Sequence, residues 1–95
     1  MIEIRKPLFK LGQVVATPRA LAALEEAGQA PWELLSNHCQ GRWGDVGDED
    51  AQANDRSVED GSRILSAYKL NTGVKIWVIT EADRSSTCLL RPDEY

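Results

Sequence analysis

Arg63-Ile64-Leu65-Ser66-Ala67-Tyr68-Lys69-Leu70-Asn71-Thr72-Gly73-Val74-Lys75-Ile76-Trp77-Val78-Ile79-Thr80 is the stretch that decides the fold. Residues 63–70 and 74–80 are rich in β-branched and aromatic side chains and read as strands. Between them Asn71-Thr72-Gly73 fits a three-residue hairpin loop with glycine in the left-handed position. That loop sets Leu70 opposite Val74, Tyr68 opposite Ile76, Ser66 opposite Val78 and Arg63 opposite Glu81. It also sets Lys69 opposite Lys75, a mild like-charge cost. One face of the hairpin then holds Ile64, Tyr68, Leu70, Val74, Ile76 and Val78, and the other holds Leu65, Ala67, Trp77 and Ile79. Both faces are apolar, so both are expected to need cover.

Working outward, residues 81–86 form a second turn and residues 87–90 a further strand, which Pro92 ends. On the N-terminal side, residues 8–16 read as a first strand centred on Gln13-Val14-Val15-Ala16, with Gly12 at a bulge. Thr17-Pro18 starts a helix through Leu21 and Leu24 that Gly28 stops. Pro31 opens a second helix, closed by Gly41, whose inward stripe is Leu34, Leu35, His38 and Cys39. A third helix is expected from Asp48 to Asp60, capped by Asp45 or Asp48, ended by Gly61 and lying on the surface. Its apolar stripe is thin, chiefly Ala51 and Val58. The expectation is one α+β domain over residues 1–95. It has a three- to four-stranded antiparallel sheet, two N-terminal helices packed on it and an acidic helix at its surface.

Ninety-five residues, 42% of them apolar, suffice for one core and argue against disorder. No apolar run approaches the roughly 20 residues of a membrane span. The start, Met1-Ile2-Glu3-Ile4-Arg5-Lys6-Pro7, lacks the apolar stretch and cleavage site of a secretory signal. Two distant cysteines, Cys39 and Cys88, are too few for a disulfide framework, so a reduced cytoplasmic setting is expected.

The net charge of −4 is unevenly placed. Asp45, Asp48, Glu49, Asp50, Asp55, Glu59 and Asp60 face one base, Arg56, so this segment carries −6 and the remainder +2. Scattered bases do not make a phosphate-binding surface, which argues against direct nucleic-acid binding. A dense acidic face suits a basic protein partner, because it steers the encounter. The residues expected to meet that partner are Asp45, Asp48, Asp50, Asp55 and Glu59, with Trp43 as an aromatic anchor from the preceding loop.

Reactive side chains are not grouped. His38 and Cys39 are adjacent on a helix and point about 100° apart, which is poor geometry for a base and its nucleophile. One histidine and two distant cysteines supply none of the close ligand pairs of a zinc site. Asp48, Asp50 and Glu59 match three positions of a calcium loop, but Gln52 and Ala53 occupy the positions that build its turn. No catalytic residue, metal or cofactor is therefore assigned. Arg84, Ser85 and Ser86 offer a cation and hydroxyls at a turn where an anion can sit, and backbone-bonding turn chemistry explains the same residues. A homodimer through the less charged sheet face, on Trp77 and Ile79, is a further expectation.

Leu11-Gly12-Gln13-Val14-Val15-Ala16-Thr17-Pro18, Trp43-Gly44-Asp45, Ser66-Ala67-Tyr68, the run from Ile76 to Ser85 and Pro92-Asp93-Glu94-Tyr95 carry a resemblance. With them the chain resembles a family of small bacterial proteins labelled plasmid-related, some of which bear the label of a type I restriction methylase subunit. The chain lacks the glycine-rich cofactor turn and the Asn-Pro-Pro-aromatic motif that a methylase needs. The resemblance implies a home on mobile DNA and brings no catalytic residues. The expected role is that of a non-catalytic accessory protein acting by protein–protein interaction. The alternatives are a DNA-mimicking inhibitor of host defence, using the acidic surface, and a small nuclease or toxin built on Arg84, Ser85, Asp83 and His38.

Overall fold

The computed structural model describes residues 7–95, so the stretch read for a secretory signal lies, Pro7 aside, outside the described residues. Three α-helices and a four-stranded sheet form in the order β1 (Gln13–Ala16), α1 (Pro18–Ala27), α2 (Pro31–Cys39), α3 (Asp48–Asp60), β2 (Ile64–Lys69), β3 (Lys75–Thr80) and β4 (Ser86–Leu90). A 3-10 turn, Pro92–Glu94, follows β4.

The hairpin has the register its loop dictates. Tyr68 pairs with Ile76, Ser66 with Val78 and Lys69 with Lys75, and Gly73 takes φ +93°. Antiparallel β4 extends the meander, with Val78 opposite Leu89 and Thr80 opposite Thr87. The sheet order is β1-β4-β3-β2, and β1 runs parallel to β4. The sheet is therefore mixed, which corrects the expectation of a purely antiparallel one. Parallel pairing needs a long connection, and three helices and two strands separate β1 from β4 in the chain. The first strand is also shorter than expected. Leu8 spends its N–H on the Cys39 carbonyl at the end of α2, and Phe9 turns into the core. Gly12, at φ +65°, precedes the strand instead of bulging it, and a Cβ there would stand 2.4 Å from the Arg84 carbonyl oxygen.

Local chemistry explains the helix ends. The Thr17 hydroxyl accepts the Ala20 N–H at 3.1 Å and donates to Glu94 Oε1 at 2.9 Å, so it caps α1 and ties it to the C-terminal turn. At α2 the Glu33 carboxylate reaches back to the Ala30 N–H. The N-cap of α3 is Gly47, without a side-chain cap, which corrects the expectation of Asp45 or Asp48. Asp48, Glu49 and Asp50 instead occupy the first turn, at the positive end of the helix dipole.

One sheet face is covered by α1 and α2, whose Ala20, Ala23, Leu24, Leu34 and Leu35 pack on Ile76, Val78 and Leu89. Burial of each large aliphatic side chain contributes roughly 2–3 kcal/mol. A second cluster, Phe9, Cys39, Trp43 and Ile64, fills the space toward α3, with Ala51 and Val58 against it. The opposite sheet face carries Leu65, Ala67, Trp77 and Ile79. Tyr95 folds back there, its ring 5.6 Å edge-on from Trp77, and Arg63 stacks on Tyr95 at 5.4 Å. Trp32 is 44% exposed at the first turn of α2, off the stripe of Leu34, Leu35, His38 and Cys39.

Candidate functional site

The acidic segment is turned to solvent. Asp45, Asp48, Glu49, Asp50, Asp55, Glu59 and Asp60 are all exposed, and among the described residues none of them enters an ion pair. The ion pair present there joins Arg19 to Asp93 at 3.1 Å, on another part of the surface. A surface cleft of about 340 Å³ opens beside α3, lined by Asp50, Ala53, Asn54, Arg63, Leu65 and Trp77.

Two of the residues expected to meet a partner take part in the fold. Trp43 is 6% exposed, stacked beside Phe9 at 6.2 Å and edge-on to His38 at 6.0 Å. Its indole N–H donates to Asp55 Oδ1 at 3.1 Å. Trp43 is thus a core residue, because the loop before α3 folds inward over the end of the sheet, and Asp55 is its hydrogen-bond acceptor. Of the other expected residues, Asp45, Asp48, Asp50 and Glu59 are exposed, with Glu49 and Asp60 beside them.

That loop and α3 close the β2 edge. The Ala67 N–H donates to the Trp43 carbonyl at 3.0 Å, and the Asp45 N–H donates to the Ala67 carbonyl at 2.7 Å, a short parallel bridge centred on Gly44. Gly44 has φ +77°, and a Cβ there would stand 2.0 Å from the Ala67 oxygen, so only glycine permits the approach. One residue pair along, the Asn54 amide donates to the Leu65 carbonyl at 2.7 Å and accepts the Leu65 N–H at 3.2 Å. Asn54 is 5% exposed and substitutes for a neighbouring strand. Sequence reading missed it, although Ala51, Asn54 and Val58 share the helical spacing of a buried stripe.

His38 sits in a fully buried polar row. Its Nδ1 lies 2.5 Å from Ser66 Oγ and its Nε2 lies 2.9 Å from Thr80 Oγ1; Thr80 Oγ1 lies 2.7 Å from Thr87 Oγ1. The Thr87 hydroxyl donates to the Leu11 carbonyl at 2.7 Å, which, with a neutral imidazole, fixes the direction of every proton in the row. Thr80 must donate to Thr87, Nε2–H to Thr80, and Ser66 to an unprotonated Nδ1. Burial, with the Arg84 charge second, lowers the His38 pKa from 6.5 to about 4. Both imidazole nitrogens are occupied and none reaches solvent.

Arg84 takes φ +59° in the second turn and points its guanidinium at α3. It donates to the carbonyls of Ser62 (2.7 Å), Ser57 (2.8 Å), Glu81 (3.1 Å) and Ala82 (3.3 Å), with its guanidinium 5.5 Å over the Phe9 ring. It thus staples the C-terminal end of α3, where positive charge is favoured. The turn closes by the backbone chemistry of its residues, Asp83 Oδ1 accepting the Ser85 N–H at 3.0 Å, and Ser85, through its side chain first and this backbone bond second, holds the Asp83 carboxyl below its ordinary pKa. Ser85 is exposed and Ser86 begins β4, but the cation that an anion site would need is held by carbonyls.

Burial pushes up the pKa of the Cys39 thiol, and burial followed by the Glu94 and Glu81 charges raises that of Cys88, so neither is poised as a thiolate. Among the described residues no three His, Cys, Asp or Glu side chains are grouped to hold a metal ion, and no helix is long and apolar enough to cross a membrane. The sheet face expected to dimerise is partly filled from within the chain, since Ile79 is 4% exposed and Trp77 packs on Tyr95. Comparison with known protein families, with curated proteins and with solved structures finds no match to this chain.

Proposed function

We propose that the chain is a non-catalytic accessory protein, of a bacterial mobile element as the resemblance implies, that engages a basic protein through the outward acids of α3 and its approach. The observation that carries this reading is the exposure of seven acidic residues between Asp45 and Asp60 without an ion pair among the described residues. An acidic face whose carboxylates are not tied into ion pairs keeps its field available for steering an encounter. Engagement through Asp45, Asp48, Asp50 and Glu59 leaves the Trp43–Asp55 bond intact, so recognition need not disturb the fold.

The test neutralises these four by Asp45→Asn, Asp48→Asn, Asp50→Asn and Glu59→Gln, and spares Asp55. Affinity capture from the bacterial host should retain a basic protein on the wild-type chain and lose it on the variant. Retention should also fall as salt shortens the Debye length from about 8 Å at physiological strength to about 3 Å at 1 M. Equal capture by both chains, with the variant as stable as the wild type, would end the proposal.

A further inference from the structure

The outer edge of β1 is left unused by the rest of the described fold. In a parallel ladder a residue gives both of its backbone groups to the neighbouring strand or neither. The Gln13 N–H reaches the Ser85 carbonyl at 3.0 Å and the Thr17 N–H reaches the Leu89 carbonyl at 3.0 Å, so residues 13, 15 and 17 face β4. Val14 and Ala16 therefore aim their N–H and C=O groups away from the sheet, where no described strand lies. Val14 and Val15 are each 43% exposed. The strand carries no charge, proline or bulge, the devices that keep sheet edges apart.

We propose that this edge pairs with its counterpart in a second copy of the chain, β1 antiparallel to β1 about a two-fold axis, to give a continuous eight-stranded sheet. The pairing sets Val14 of each copy against Ala16 of the other, makes four backbone hydrogen bonds and brings the two Val15 side chains together at the axis. Apolar surface is concentrated there. Of six large apolar side chains exposed among the described residues, Val14, Val15 and Leu21 fall on β1 and the first turn of α1.

Charge selects a second copy over a basic partner at this edge. The −6 segment packs along β2, at the opposite side of the sheet, and an uncharged strand gives a basic segment nothing to meet. With strands about 4.8 Å apart, the two β2 strands of the dimer stand about 34 Å from each other. That is several times the Debye length of about 8 Å, so the two acidic segments do not oppose assembly.

Size exclusion with light scattering across the micromolar range should give twice the mass of one chain. Hydrogen exchange should show the Val14 and Ala16 amides protected in proportion to dimer. Val14→Pro removes an outward N–H and no bond to β4, and should weaken the dimer at least about tenfold while the chain stays folded by circular dichroism. Val15→Lys, which adds charge at the axis, should do the same. A chain that stays monomeric overturns the proposal, including one whose Val14 and Ala16 amides are protected from within. So does a dimer in which those amides exchange freely and both variants associate as tightly as the wild type.

Discussion

The two edges of this sheet are treated in opposite ways. At β2, the outward backbone groups of Leu65 and Ala67 are all met, two by the Trp43-Gly44-Asp45 bridge and two by the Asn54 side chain. At β1, the corresponding groups of Val14 and Ala16 have no described strand beside them. Unpaired strand edges are sites of association, so an edge closed at β2 and without a described neighbour at β1 gives the proposed pairing a single direction in which to extend the sheet. The closed edge also holds the acidic helix away from the open one, which separates charge from apolar surface along the width of the sheet.

The sharpest way to break this contrast is Gly44→Ala. A side chain at φ +77°, overlapping the Ala67 oxygen, should open the bridge and cost about 4 kcal/mol in urea melts, with aggregation through the freed edge. The buried row between the edges gives the next largest effect. His38 is neutral in the fold with a pKa of about 4 against 6.5 unfolded, so the unfolded chain binds more protons between these values. Stability from this group should be complete above pH 6.5 and fall by about 3 kcal/mol as pH drops to 4. His38→Gln should flatten that slope, and an unchanged slope would show that other groups set it. Asn54→Ala leaves the Leu65 N–H and C=O without their partner and should cost about 2 kcal/mol. At the open edge, Val14→Thr should shift monomer stability by less than about 0.5 kcal/mol, because the site is exposed and near-isosteric. A larger loss there would mean that the edge is covered within the chain.

What was legible in the sequence is local. Asn71-Thr72-Gly73 dictates the hairpin register pair by pair, Thr17-Pro18 and Gly28 bound α1, and His38 falls on the inward stripe of α2. The direction of β1 was not legible, since nothing within Gln13-Val14-Val15-Ala16 says which way the strand runs beside its neighbour. Trp43 beside a glycine in a loop reads as an exposed anchor until one sees that Gly44 lets the loop lie against β2. Asn54 in an acidic helix reads as solvated surface, and only the neighbouring Leu65 backbone reveals why an amide stands there. Arg84 advertises a cation, yet its fork is occupied by carbonyls far away in the chain. Each miss is a long-range closure that depends on tertiary approach.

The row of hydroxyls through His38 has a further consequence for how the strands find their alignment. A slip of β4 along β3 by two residues would keep apolar side chains inward and exchange Thr87 for Leu89 opposite Thr80. Aliphatic packing alone tolerates such a swap poorly but not fatally, whereas a hydroxyl facing a leucine loses its bond outright. The imidazole and the hydroxyls it joins thus act as a key in a slot: His38 matches Ser66 on β2 to Thr80 on β3, and Thr80 matches Thr87 on β4, so near misses that greasy side chains would forgive lose a bond.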